Sequence, residues 1–187
     1  MKKTFLALFA ALLLVAGLSA AQAQDKTAPV AEDRDVENTL ILELKDGPVV
    51  IELRPDLAPS HVARIKELTR EGFYDGIVFH RVIDGFMAQT GDPTGTGTGG
   101  SGKNIIAEFS DEPFKRGTVG MARAQDPDSA DSQFFINFAP TPPLNGKYTV
   151  IGHVVSGMEY VDNITRGEPP ANPDKIIQMQ VAADAVK

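Results

Sequence analysis

Between Thr39 and Val181 the chain is cut into short β-branched and aromatic runs, each closed by glycine, proline or an Asp-Gly pair. This punctuation constrains the fold more than any other feature, because strands so short must pair side by side around a shared core. The runs are Thr39–Leu44, Val49–Leu53, Ile77–Ile83, Phe86–Gln89, Thr118–Ala122, Phe134–Phe138, Thr149–Val155 and Ile176–Val181. Lys45-Asp46-Gly47-Pro48 joins the first two and reads as a hairpin. Helical spacing appears from Pro59 to Glu71, where Val62, Ile65 and Leu68 recur, Pro59 suits the first turn and Gly72 the stop. A shorter helix fits Met158–Ile164. This order is not a regular βαβ series, has no internal repeat, and predicts a mainly β domain: an antiparallel sheet or barrel with helical caps.

The first residues stand apart from that pattern. MKKTFLALFAALLLVAGLSAAQA opens on Lys2 and Lys3, continues through an apolar run and ends in Ala21-Gln22-Ala23, the layout of a cleaved secretory signal peptide over 1–23. An uncleaved anchor is the alternative, since Phe5 to Ala23 approaches the ~20 residues of a membrane span; Gly17 and the small residues Ala21 and Ala23 favour cleavage. QDKTAPVAEDRDVE, 24–37, has no apolar period and reads as a flexible leader, leaving 38–183 as the folded domain. Loss of Lys2 and Lys3 takes the net charge from −7 to −9. An acidic chain without a basic run is unsuited to nucleic acid or anionic lipid. Zero cysteines exclude disulfides and thiol chemistry, so an exported chain must hold together by packing alone.

One stretch suggests a nucleotide site. GDPTGTGTGGSGKN, Gly91 to Asn104, contains both G-x-x-x-x-G-K and G-x-G-x-x-G. A phosphate-cradling loop must lead from a strand into a helix whose N-terminal amides and dipole face the anion. Here the glycines lead into NIIAEFSDEP, and Asn104 stands where a hydroxyl would hold magnesium. The stretch is therefore read as a surface loop that turns sharply or admits another backbone. His61, His80 and His153 share no metal-ligand spacing, and no G-x-S-x-G elbow occurs, so no metal or cofactor is expected.

FHRVIDGFMAQTGDP, Phe79 to Pro93, places Arg81 inside an otherwise apolar strand. A guanidinium cannot lose its proton and must find partners. The structural reading pairs Arg81 with a carboxylate such as Glu52 or Asp84. The functional reading sets it beside an apolar cup of Phe86, Met87 and Phe135, with Gln89 as a fixed polar group, whereas periodicity alone favours reading these as core residues. In SQFFINF, Ser132 to Phe138, the two adjacent phenylalanines must face opposite ways. His80, next to Arg81, faces away from it and is given a structural role.

FHRVIDGFMAQTGDPTGTGTGG and GTVGMARAQDPDSADSQFFINF resemble the two central segments of the cyclophilin family of peptidyl-prolyl isomerases. The likeness extends from about Thr39 to Ala182, and the MARA…DSQFFIN wording is most similar to the bacterial exported members. It implies a closed eight-stranded antiparallel β-barrel capped by two α-helices. It further implies that Arg81 is catalytic and that Phe86, Met87, Gln89, Ala122, Arg123, Phe135, Leu144 and Tyr148 bind substrate, with no cofactor and no metal. Arg123 departs from the asparagine of eukaryotic members, so only its main chain is carried over as a contact. Pro143 stands where drug-sensitive members have tryptophan, which argues against strong inhibition by cyclosporin. The implied partners are proline-containing unfolded or partly folded polypeptides. The protein is expected in the periplasm as a monomer, off the membrane once the signal is cleaved. A binding module holding Pro-containing segments without turnover, and an envelope protein with an accidental pocket, are the competing readings.

Overall fold

The computed structural model describes residues 35–185. The expected signal peptide, and the leader up to residue 34, lie outside the described residues. The last leader positions are ordered: Asp35 caps a 3-10 turn over Val36–Asn38, and Glu37 pairs with Lys66 and Arg70 at 2.9 and 2.8 Å.

Eight antiparallel strands follow: β1 (Thr39–Leu44), β2 (Gly47–Leu53), β3 (Arg81–Ile83), β4 (Met87–Thr90), β5 (Thr118–Met121), β6 (Phe134–Asn137), β7 (Val150–Ser156) and β8 (Gln178–Val181). The helices are α1 (Pro59–Arg70), the short α2 (Met158–Asp162) and a final turn, α3 (Ala182–Ala185). The strand order is β3-β4-β6-β5-β7-β2-β1-β8.

The barrel is not closed. The sheet is an open half-barrel whose edges are β3 and β8, correcting the expected closed form. Across the gap run isolated bridges, Val78 with Lys175 and Val82 with Gly167, instead of a ladder. The chain between them holds Pro169, Pro170 and Pro173, which have no N–H to donate. The strand expected over Ile77–Ile83 is shortened to Arg81–Ile83. Residues 77–80 lie along this irregular segment, where the Phe79 amide donates to the Asp174 carbonyl at 2.8 Å.

Alternation across the sheet sorts residues between two clusters. Val82, Ala88, Ile136 and Val119 are in register on neighbouring strands and face the main core with Leu42, Ile51 and Ile65. The residues beside them, Arg81, Gln89, Phe135 and Gly120, form a second register row on the opposite face. Phe134 therefore belongs to the core and Phe135 to a smaller cluster with Met87, Phe114 and Val150.

Helix α1 buries Val62, Ile65 and Leu68, as its spacing predicts. Ala58 at its start offers no side-chain cap. Glu108, distant in sequence, supplies one by accepting from the Ser60 and His61 amides, both at 3.0 Å, and lying 2.7 Å from His61 Nδ1. Burial works to raise the Glu108 pKa, but these hydrogen bonds outweigh it and hold the carboxyl below its ordinary value.

Candidate active site

Arg81, Phe86, Met87, Gln89, Ala122, Arg123, Phe135, Leu144 and Tyr148 together line one cavity of about 110 Å³. The sheet supplies Arg81, Met87, Gln89 and Phe135 from its outer row, while Phe86 comes from the turn between β3 and β4. Leu144 ends a 3-10 turn over Pro142–Leu144, and Pro143 in that turn is exposed. The cavity adjoins a larger one of about 620 Å³, with which it shares Gln89, Ala122 and Arg123.

The floor of the cup is aromatic. Phe135 stacks on Phe114 with ring centroids 5.8 Å apart, and Tyr148 meets it edge-on at 6.0 Å. Phe114 and Gly120, absent from the sequence-derived site, make this floor possible. A Cβ on Gly120 would lie 2.6 Å from both phenylalanine rings. Gly120→Ala is therefore expected to drive Phe135 into the cup and weaken peptide binding by roughly tenfold, since overpacking costs about 1–3 kcal/mol. An NMR titration with a short Xaa-Pro peptide measures this, with unchanged amide dispersion elsewhere as the sign that the fold survives.

The rim is a hydrogen-bonded chain. Arg81 Nε donates to Glu168 Oε2 at 2.8 Å, and Nη1 lies 3.5 Å from Gln89 Oε1. Gln89 Nε2 donates to Gln133 Oε1 at 2.9 Å, and Gln133 Nε2 donates to the carbonyls of Gly97 and Gly99. The Arg81 side chain is 41 % exposed, so it is not the core ion pair that its apolar surroundings in sequence allow. Neither Glu52 nor Asp84 is its partner: Glu52 is exposed on β2, and Asp84 pairs with Arg166 at 3.2 Å. Glu168 is beyond reach of sequence periodicity, 87 residues away. His80 is buried with its ring against Gly97, and that burial lowers its pKa.

Arg123 contributes more than backbone. Its guanidinium donates to the carbonyls of Ala124, Gln125 and Lys147 and lies 4.5 Å from the centroid of the Tyr148 ring. The side chain thereby forms a wall between the two cavities.

The glycine-rich loop has its amides from Thr94 to Gly99 already engaged. Asp92, fully buried, accepts from the amides of Thr94, Gly97 and Gly99 and from the Thr94 hydroxyl at 2.6–3.1 Å. Burial works to raise its pKa, but the Thr94 side-chain and backbone hydrogen bonds, with those from Gly99 and Gly97, bring it down to about 2. The donors that a phosphate would need are thus turned inward onto the chain's own carboxylate, which gives the loop reading a physical cause.

A family model described as cyclophilin type peptidyl-prolyl cis-trans isomerase matches residues 39–181. A probable peptidyl-prolyl cis-trans isomerase of Brucella suis is 58 % identical, over 82 % of this chain and 87 % of that one. Peptidyl-prolyl cis-trans isomerase B of Bacillus subtilis is 48 % identical, over 67 % of this chain and 89 % of the relative. Among solved structures, a cyclophilin from Hirschia baltica superposes with a TM-score of 0.74 at 30 % identity, covering 80 % of this chain and 76 % of the other. A Cryptosporidium parvum cyclophilin type isomerase, crystallised in the presence of the dipeptide Ala-Pro, gives 0.72 at 29 % identity, covering 76 % and 98 %. The chain belongs to the cyclophilin-type peptidyl-prolyl cis-trans isomerases.

Proposed function

We propose that Arg81 performs the isomerisation of Xaa-Pro bonds by binding the prolyl nitrogen in its twisted state, and that the clients are exported polypeptides in the course of folding. The reaction is slow because amide resonance sets a barrier of about 18–20 kcal/mol. Rotation takes the nitrogen out of conjugation and leaves it pyramidal with a lone pair of its own. A donor aimed there stabilises the twisted state and finds little to bind in the planar one.

The observation that carries this reading is the meeting of Arg81 with Phe86, Met87, Phe135 and Leu144 around a cavity of about 110 Å³, space for one small ring. Phe86, Met87, Phe135 and Leu144 grip the pyrrolidine, so the preceding peptide unit turns. Gln89 and the backbone at Ala122 hold the substrate chain, and Tyr148 closes one side. Exchange NMR on an Xaa-Pro peptide tests the assignment. The chain is expected to accelerate cis–trans exchange and Arg81→Ala to lose most of that acceleration. A binding module would hold the peptide equally well with or without Arg81 and accelerate nothing.

Export is supported by Lys2, Lys3, the apolar run and Ala21-Gln22-Ala23. A monomer is supported by edges that are occupied: the Val82 amide on β3 donates to Gly167 at 2.8 Å, and the Met179 amide on β8 to Asp75 Oδ1 at 2.9 Å. Native mass spectrometry of periplasmic extract is expected to find a single chain beginning at Gln24. A retained N-terminus or a stable dimer would each remove its part of this proposal.

A further inference from the structure

We propose that Glu168 is a positioning residue for Arg81. It fixes the plane of the guanidinium from the Nε side so that the terminal N–H groups point into the cup. This rests on the assignment of Arg81 as the group that acts on the prolyl nitrogen.

A guanidinium has five N–H donors in a rigid fork. Glu168 takes the Nε hydrogen at 2.8 Å, and Gln89 lies 3.5 Å from Nη1. Three donors remain for a substrate. The Gln89 contact is long, and the side chain is 41 % exposed, so without Glu168 little would keep the fork in one orientation. An ion pair this exposed contributes little to folding stability. Its effect is on orientation, which for a reacting group governs rate.

The chain delivers Glu168 to this place by a rigid device. Gly167 and Val82 exchange two backbone hydrogen bonds, each 2.8 Å, which fastens residue 167 to the strand that carries Arg81. Only glycine fits there: its φ is +148°, and a Cβ would lie 2.5 Å from the Pro170 Cα and 2.9 Å from the Pro169 carbonyl oxygen. Pro169 and Pro170 follow with φ fixed by their rings. Beside it, Arg166 lies over Phe138 at 4.1 Å and pairs with Asp84. The segment is a brace against β3, with its carboxylate presented to the one arginine of the cup's register row.

The test compares Glu168→Ala, Glu168→Gln, Asp84→Ala and Arg81→Ala in the mature chain, reading kcat and KM for an Xaa-Pro peptide together with the thermal midpoint. Glu168→Ala is expected to lower kcat by about three- to tenfold with KM within about twofold. Its midpoint is expected to stay at the wild-type value. Glu168→Gln keeps an oxygen for Nε and is expected to retain at least about half of the wild-type kcat. Asp84→Ala removes the neighbouring exposed pair and leaves kcat unchanged. In the ¹⁵N–¹H spectrum the Arg81 Nε–H resonance is expected to be protected from exchange in wild type and Glu168→Gln and to broaden in Glu168→Ala. A Glu168→Ala protein with full kcat and an unaltered Nε–H resonance would overturn the positioning role. So would an equal loss in Asp84→Ala, which would mark a general effect of the brace. Inactive Arg81→Ala beside fully active Glu168→Ala removes this inference alone; active Arg81→Ala removes the catalytic assignment on which it rests.

Discussion

Arg81→Lys is expected to lose nearly as much turnover as Arg81→Ala, a fall of roughly 10 to 10² in kcat, while peptide affinity weakens by less than about threefold. A hydrogen bond from a charged donor contributes about 1.5–3 kcal/mol, and in the proposed mechanism that contribution is made to the twisted state alone. Lysine keeps the charge and loses the fork. Its ammonium has no plane for Glu168 to fix, and a point charge placed beside that carboxylate is drawn to it instead of to the substrate nitrogen. Neither substitution touches Phe86, Met87, Phe135 or Leu144, so the proposed grip on the ring is expected to persist. Exchange NMR at several peptide concentrations separates the two constants. A lysine variant with more than half of the wild-type kcat would mean that positive charge suffices and geometry does not matter.

The legibility of this protein in its sequence follows the range of the interactions involved. β-branched and aromatic runs, Gly/Pro punctuation and helical spacing are local, and they place all eight strands and α1. The adjacent phenylalanines announce two opposite faces, and the structure sends Phe134 into the core and Phe135 into the cup. Contacts between distant segments leave no periodic trace. Nothing in the spacing selects Glu168 over Glu52 or Asp84 as the partner of Arg81. Glu108 capping α1 from outside the helix is equally invisible. Gly120 carries a signal only in hindsight, as a glycine inside a strand where another group approaches closely. The expected closure of the barrel fails at the prolines of 169–173, a local feature whose consequence depends on which strand lies opposite. Of the nine cup residues, Arg81, Phe86, Met87, Gln89 and Phe135 are suggested by the residues themselves, while Ala122, Arg123, Leu144 and Tyr148 rest on family likeness alone; they converge on one cavity because the outward face of the sheet and three connecting segments meet there.

Asp92→Asn is expected to produce the largest loss of stability, and its dependence on pH identifies the cause. The Asp92 carboxyl titrates at about 2 in the folded chain against an ordinary 3.8. A depressed carboxylate contributes stability that is fully present above its unfolded value and is lost as pH falls through the folded one. The difference corresponds to about 2–3 kcal/mol at neutral pH. Asparagine offers one acceptor oxygen where the carboxylate uses two, and it turns an NH₂ toward amides that are themselves donors. At roughly 2–4 °C per kcal/mol for a domain of this size, the midpoint should fall by about 4–12 °C at pH 7. The gap between wild type and variant should narrow as the pH is lowered from about 4 toward 2, because the wild-type carboxylate is then being neutralised. Thermal unfolding followed by circular dichroism across that range measures both effects, and a gap independent of pH would mean that Asp92 acts by packing alone. The site should feel the same change. Asp92 holds Gly97 and Gly99, whose carbonyls fix Gln133, which in turn fixes Gln89 beside Arg81. Turnover in Asp92→Asn is therefore expected to fall below wild type even where the variant is fully folded, and by less than in Arg81→Ala, since the guanidinium and its Glu168 partner remain.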